Sequence, residues 1–107
     1  MEQTLSTFFN AVNQNDVDGA LECCSDDIQC TYPDPGRNWQ GKERGRTVMT
    51  AIFGQLSRIE KTASYEVIAI NEDLKTVETK ESWGHPKIRT KSVYTFTHDN
   101  KILAMAS

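Results

Sequence analysis

A carboxylate set in an apolar alternation is the sharpest chemical feature of this 107-residue chain. Glu81 shares the phase of Val77, Thr79 and Trp83. An acidic group on an otherwise apolar face must be paired or hold a proton, so Glu81 is a candidate acid or base. The competing reading puts that face on the solvated convex side of a sheet or at a dimer contact, with Lys80 or Arg89 as partner. Asp34, directly before Pro35, is a second carboxylate that could serve as base. Tyr32 and Tyr94 could donate the hydrogen bond that a developing enolate needs.

Around these groups stand rings and cations. Tyr32, Trp39, Tyr65, Trp83 and Tyr94 each join an apolar body to a polar edge, which suits a cavity wall or plain core. Arg37, Lys42, Arg44 and Arg46 gather at the start of a helix, where cations oppose the helix dipole. Guanidinium groups around a helix N-terminus would hold a carboxylate or phosphate, with Arg37 and Arg44 as the expected anion contacts. The plainer alternative is a solvated helix start with Glu43 as compensating charge. His85, between Gly84 and Pro86, reads as a turn histidine and His98 as part of a hairpin tip. Neither has metal-ligand spacing to a cysteine, so no metal or other cofactor is expected.

Composition bounds the setting. Residues 1–107 make one domain by length, with 37% hydrophobic and 25% charged residues, the balance of an ordinary globular protein. A net charge of −3 and a pI near 5.3 give no electrostatic footprint for nucleic acid. No apolar run approaches the roughly 20 residues of a membrane span, and the N-terminus lacks the basic start and cleavage site of a signal peptide. The three cysteines Cys23, Cys24 and Cys30 are odd in number and clustered, arguing for reduced thiols rather than a disulfide framework. A cytoplasmic location and no membrane partner are expected.

The elements that must position these groups follow from periodicity. Leu5, Phe8, Phe9 and Val12 recur at helical spacing, ending in Asn13-Gln14-Asn15. Asp16 caps a shorter second helix with Asp18 in its first turn and Ala20, Leu21 and Cys24 as its apolar face. Adjacent Cys23 and Cys24 on that helix would leave at most one facing the core. Ser25-Asp26-Asp27 reads as a turn, and Ile28 to Tyr32 as a strand stopped by Pro33. Val48, Met49, Ile52, Phe53 and Leu56 mark a third helix of roughly 14 residues. From Ile59 onward the period becomes two: Tyr65-Val67-Ala69, Val77 to Trp83, Thr90 to Phe96, and Ile102-Ala104-Ala106. The intervening turns are Asn71-Glu72-Asp73, Trp83-Gly84-His85-Pro86 and His98-Asp99-Asn100. Strands joined by short turns make an antiparallel meander, and N-terminal helices covering one face make an α+β domain. A curved sheet wrapped on a long helix encloses a cone, the kind of concave apolar cavity that binds small molecules.

The order helix, helix, strand, Pro/Gly loop, helix, four strands, with FFNAVNQNDVDGALECCSDDIQCTYPDPGRNWQGKE, resembles the SnoaL-like branch of the nuclear transport factor 2-like superfamily over essentially the whole chain. The most specific parts are the helix that Asp16 opens, the Asp26-Asp27 turn and the Pro33-to-Gly41 spacing, which also occurs in ketosteroid isomerases. The resemblance implies a cystatin-like cone whose N-terminal helices pack on a curved mixed or antiparallel sheet. Its members include isomerases, polyketide cyclases, dehydratases, epoxide hydrolases and non-catalytic binding domains. Ketosteroid isomerases pair an Asp base with a Tyr and a protonated Asp. By position those three fall on Tyr32, Phe8 and Ser92, so every group is changed and that isomerisation is disfavoured. Relatives usually run past the last strand with an aromatic and an acidic residue that would cover part of the pocket mouth or the sheet-to-sheet interface, where this sequence has Met105-Ala106-Ser107.

The expected cavity lining is Phe8, Tyr32, Trp39, Phe53, Tyr65, Trp83, Ser92 and Tyr94. Three classes of function remain open. The first is binding of a small apolar or weakly anionic molecule. The second is isomerase, cyclase or dehydratase chemistry with Glu81 or Asp34 as base and Tyr32 or Tyr94 as donor. The third is a protein-interaction module using the open sheet face, hinted at by the out-of-phase Val93 and Leu103. The same face would serve the homodimer common in the superfamily.

Overall fold

The computed structural model describes residues 1–85 and 87–107. Three helices, α1 (Glu2–Asn13), α2 (Val17–Glu22) and α3 (Lys42–Arg58), cover one face of a six-stranded sheet. Strands β3 (Ala63–Asn71), β4 (Thr76–Trp83), β5 (Thr90–Phe96) and β6 (Ile102–Ala106) form the expected antiparallel meander. β6 then pairs parallel with β1 (Cys24–Thr31), and β1 antiparallel with the two-residue β2 (Trp39–Gln40), giving the order β2-β1-β6-β5-β4-β3. The sheet is therefore mixed and open.

Local chemistry explains the joints. α1 buries Leu5, Phe8, Phe9, Ala11 and Val12 and stops where Asn15 turns left-handed at φ 55°. Asn13 pins that end to the sheet: its amide donates to the Ala63 carbonyl at 2.9 Å and accepts from the Ala63 N–H at 2.7 Å. Asp16 caps α2 by accepting from the Gly19 N–H at 2.9 Å. A Cβ on Gly19 would press on the Asp16 carboxylate, so a side chain there would make the cap shift. Gly41, at φ 87°, makes the left-handed entry into α3 and donates to the Ile28 carbonyl at 2.8 Å.

Several expectations need correction. Ser25-Asp26-Asp27 is strand, because β1 begins at Cys24 and absorbs those polar residues in an irregularity of its pairing with β6 between Cys24 and Gln29. α2 ends before the cysteines: Cys23 is its C-terminal cap and Cys24 opens the strand, so both thiols are buried rather than one. α3 runs to 17 residues. In β3 a bulge between Val67 and Ala69 breaks the alternation, and Ala69 is exposed. A second irregularity, where Thr95 and Phe96 meet β6, pairs Ala104 with Thr95 and Met105 with Tyr94. Met105, not Ala104 or Ala106, thus joins Ile102 on the face toward the helices. The Trp83-to-Pro86 turn extends outside the described residues at Pro86, while the His85 carbonyl accepts from the Ile88 N–H at 2.9 Å.

Candidate functional site

Between α3, the inner face of the sheet and the loop after β1 lies a cavity of about 650 Å³, within the range of small-molecule sites. Met49, Ile52 and Phe53 of α3 form one wall, and Ile28, Ile102 and Met105 face them from the strands. These positions follow from the helical spacing of α3 and from the pairing of Cys24 with Ile102, Cys30 with Met105 and Met105 with Tyr94, which keeps these side chains on one face. Phe8 of α1 contributes to the lining, edge-on to Phe9 at 5.6 Å.

The polar groups of this wall centre on Glu81. Only 3% exposed, it reaches the cavity surface and accepts three hydrogen bonds. Thr79 Oγ1 and Tyr94 OH each donate to Oε2 at 2.6 Å, and Trp83 Nε1 donates to Oε1 at 2.8 Å. Period-two geometry puts Thr79, Glu81 and Trp83 side by side on β4, and Tyr94 leans in from β5. An ionised carboxylate has about four lone-pair sites, so Oε1, with one donor, can still accept from a ligand. The network explains how an acidic side chain tolerates this position, since buried polar groups are costly unless hydrogen-bonded. Lys80 and Arg89 are not its partners: Arg89 pairs with Glu66 at 3.6 Å on the surface.

Burial, reinforced by the Glu81 carboxylate that its proton faces, pushes the Tyr94 hydroxyl well above the ordinary phenol range. Tyr32, half-buried at the end of β1, is also raised, first by burial and then by Cys30, while Trp39 and Arg37 act in the opposite direction. Burial holds the Cys24 and Cys30 thiols, both on the cavity wall, up to about 12. They are protonated, weakly nucleophilic groups at neutral pH.

The loop after Tyr32 is closed on itself. Asn38 Oδ1 accepts from the Tyr32 N–H at 2.7 Å, and the Arg37 guanidinium lies over the Tyr32 ring, 4.9 Å from its centroid. Trp39 sits against α3, where Gly45 makes room: a Cβ there would lie 2.8 Å from indole Cζ3.

Among the expected site residues, the structure brings Glu81, Tyr32, Phe8, Trp39, Phe53, Trp83, Tyr94 and Arg37 to this cavity. Four others stand elsewhere. Asp34 is exposed and does not line the cavity; its carboxylate accepts from the Gly36 N–H at 3.0 Å, capping a short 3-10 turn. Tyr65 stacks on Phe9 at 4.4 Å and is not among the lining residues. Ser92 is buried beside Ser107, with the two hydroxyls 3.3 Å apart. Arg44 lies outside the lining, and the basic cluster is dispersed: Lys42 pairs with Asp26 at 3.4 Å and Arg46 with Asp18 at 2.6 Å. The sequence reading missed Thr79 as a partner of Glu81, although the shared phase was a usable signal. It also missed Lys91, Thr90 and Ser107 at the cavity, for which no local pattern exists. Among the described residues, no three His, Cys, Asp or Glu side chains are grouped to hold a metal ion.

A family model for the SnoaL-like domain matches residues 5–105. The chain belongs to that family. Solved structures with the same fold include a SnoaL-like protein of unknown function from Burkholderia thailandensis, 18% identical, with a TM-score of 0.74 over 98% of this chain and 90% of the other. The epoxide hydrolase/cyclase-like enzyme SalBIII, described in pyran ring formation in the polyether salinomycin, is 21% identical with a TM-score of 0.75 over 98% and 86%. A cystatin-fold protein from Novosphingobium aromaticivorans is 18% identical with a TM-score of 0.66 over 97% and 93%. No curated protein matches the sequence. At these identities the likeness shows the fold: this SnoaL-like domain is an α+β cystatin-like cone. No described helix is long and apolar enough to cross a membrane.

Proposed function

We propose that this SnoaL-like domain binds a small, largely apolar molecule in its conical cavity. The observation that carries the reading is the combination of about 650 Å³ of mostly apolar space with one hydrogen-bonded polar cluster at Glu81. Such a site buries a ligand's hydrocarbon surface and orients it by a few fixed polar contacts. A thermal-shift screen with aromatic polyketides, steroids and fatty acids tests it. Stabilisation by apolar ligands is expected, and no response from any of them would count against a binding cavity.

A second reading is favoured by one observation, that Glu81 reaches the cavity in direct contact with a tyrosine. A carboxylate and a phenol on one wall are the parts of an isomerase, cyclase or dehydratase, with Glu81 as general base and Tyr32 or Tyr94 as hydrogen-bond donor. SalBIII, which shares the fold, is described as an epoxide hydrolase/cyclase-like enzyme. Proton exchange α to a carbonyl in bound ketone probes, followed by deuterium incorporation and abolished in Glu81→Gln, would support it.

Homodimerisation through the open sheet face is a further proposal. Val93, Ala106 and Ala104 fall on the side away from the helices, because their neighbours Tyr94 and Met105 line the cavity. Leu103, at 37% exposure, adds apolar surface beside them. Size-exclusion chromatography with light scattering decides between monomer and dimer. A dimer lost in Val93→Lys supports this face, and the same face is where a protein partner would compete. The buried thiols Cys23, Cys24 and Cys30 support a cytoplasmic setting.

A further inference from the structure

The Glu81 network satisfies one end of the cavity wall, but a second polar group on that wall has no partner among the described residues. Trp39 is 9% exposed, lines the cavity, and its indole Nε1 is buried with no hydrogen-bond acceptor among the described residues. Buried donors are nearly always satisfied, and an exception points to an absent ligand or water. The Tyr32 hydroxyl lies close enough to feel the indole, which favours its ionised form, yet the geometry closes no hydrogen bond between them. Over the Tyr32 ring stands the Arg37 guanidinium, also in the cavity wall.

We propose that Trp39 Nε1, Tyr32 OH and Arg37 form a subsite for the carboxylate of an apolar carboxylic acid, whose hydrocarbon body fills the space between α3 and the sheet. This rests on the reading of the cavity as a ligand site. The indole is a donor only, so its partner must be an acceptor, and the phenol can turn its proton toward the same oxygen. Arg37 makes an anionic acceptor preferable to a neutral one, because a hydrogen bond to a charged group is stronger. Glu81 works against an anion, but at the Tyr32 hydroxyl the guanidinium's effect exceeds that of Glu81. The Cys30 and Cys24 thiols on the same wall are uncharged at neutral pH. The loop is built to hold the subsite: Asn38 fixes the Tyr32 backbone, and Gly45 lets the indole seat against α3.

Two matched probe pairs test the subsite, 2-naphthoate against 2-naphthylmethanol and decanoate against decanol, titrated into the full chain. Binding is followed by calorimetry and by the two indole N–H signals in ¹⁵N-correlated spectra. The expected result is acid binding at least about tenfold tighter than alcohol binding, the worth of one charge-assisted bond. The Trp39 indole signal should move more with the acid than with the alcohol. Trp39→Phe keeps a ring in place and should reduce the acid preference to within about twofold. Arg37→Gln, at an exposed position, should reduce it by weakening the acid more than the alcohol. If acid and alcohol bind equally, or if both variants keep the preference, the carboxylate subsite is wrong while the cavity reading stands. If no member of either pair binds, the cavity reading itself fails and the subsite with it.

Discussion

The Tyr94 hydroxyl donates to Glu81 Oε2 at 2.6 Å, and both side chains are only 3% exposed. The contact joins β5 to β4 across the cavity wall, and its worth is measurable. Tyr94→Phe removes one donor from a buried carboxylate and should cost about 1.5–3 kcal/mol, the range for a hydrogen bond to a charged group. Thr79→Val removes the other donor to the same oxygen. Each single variant leaves Oε2 one partner, whereas the double variant leaves it none. The double variant should therefore cost more than the sum of the singles in a double-mutant cycle read by urea unfolding. Strict additivity would mean that the two hydroxyls do not share the acceptor.

Alkaline pH should weaken the fold before the ordinary tyrosine range is reached. Cys24 and Cys30 are raised from 9.0 to about 12 by burial, so below pH 9 they are protonated in both folded and unfolded chains. Between pH 9 and 12 the unfolded chain releases these protons while the folded chain keeps them. The unfolded state then binds fewer protons, and stability falls as pH rises. Tyr94, also raised, adds to the loss above pH 10. The slope should be on the order of 1 kcal/mol per thiol per pH unit. Unfolding free energies at pH 8, 9.5 and 10.5 check it, and an unchanged value across that range would refute the burial argument.

Gly45 and Gly54 both lie in α3, and alanine should act on them with opposite signs. At Gly54 nothing lies within 4 Å of an added Cβ, so Gly54→Ala should gain up to about 1 kcal/mol from helix propensity. At Gly45 the Cβ would meet indole Cζ3 at 2.8 Å and Cη2 at 3.1 Å. The indole is rigid and buried, so Gly45→Ala should be destabilising by about 1–3 kcal/mol despite the same propensity gain. Melting temperatures of the two variants settle the comparison, with Trp39 fluorescence expected to change only in Gly45→Ala.

This contrast shows what could be read from the sequence. The helices were legible because Leu5 to Val12 and Val48 to Leu56 keep a 3.6-residue period, and the meander because its strands alternate between recognisable turns. Glu81 was legible as a cavity carboxylate for the same reason. The failures have local causes. The bulge after Val67 and the irregular pairing at Phe96 shift strand phase without any residue type announcing it. Asp34 and Tyr32 are two residues apart, yet the caps made by Asp34 and Asn38 turn the loop so that only the tyrosine lines the cavity. The orphan indole of Trp39 depends on Gly45, Tyr32 and the cavity together, a coincidence of distant positions that periodicity does not encode.

Glu81→Gln separates the structural from the chemical role of this side chain. Trp83 can only donate, so the glutamine carbonyl oxygen must take the place of Oε1 and its amide nitrogen the place of Oε2. Thr79 and Tyr94 are hydroxyls and can turn to accept from that nitrogen. Each partner keeps one hydrogen bond, but the two buried hydroxyl protons lose their acceptor, so the variant should lose about 1.5–3 kcal/mol. Glu81→Ala offers none of these contacts, strands the Trp83 N–H and opens a cavity, so it should cost at least about twice as much. Urea unfolding of the two variants measures the stability gap. A Glu81→Gln protein that folds normally, binds apolar probes and has lost deuterium exchange in a bound ketone would assign the carboxylate to chemistry. Equal damage from both substitutions would show instead that the negative charge itself holds the wall together.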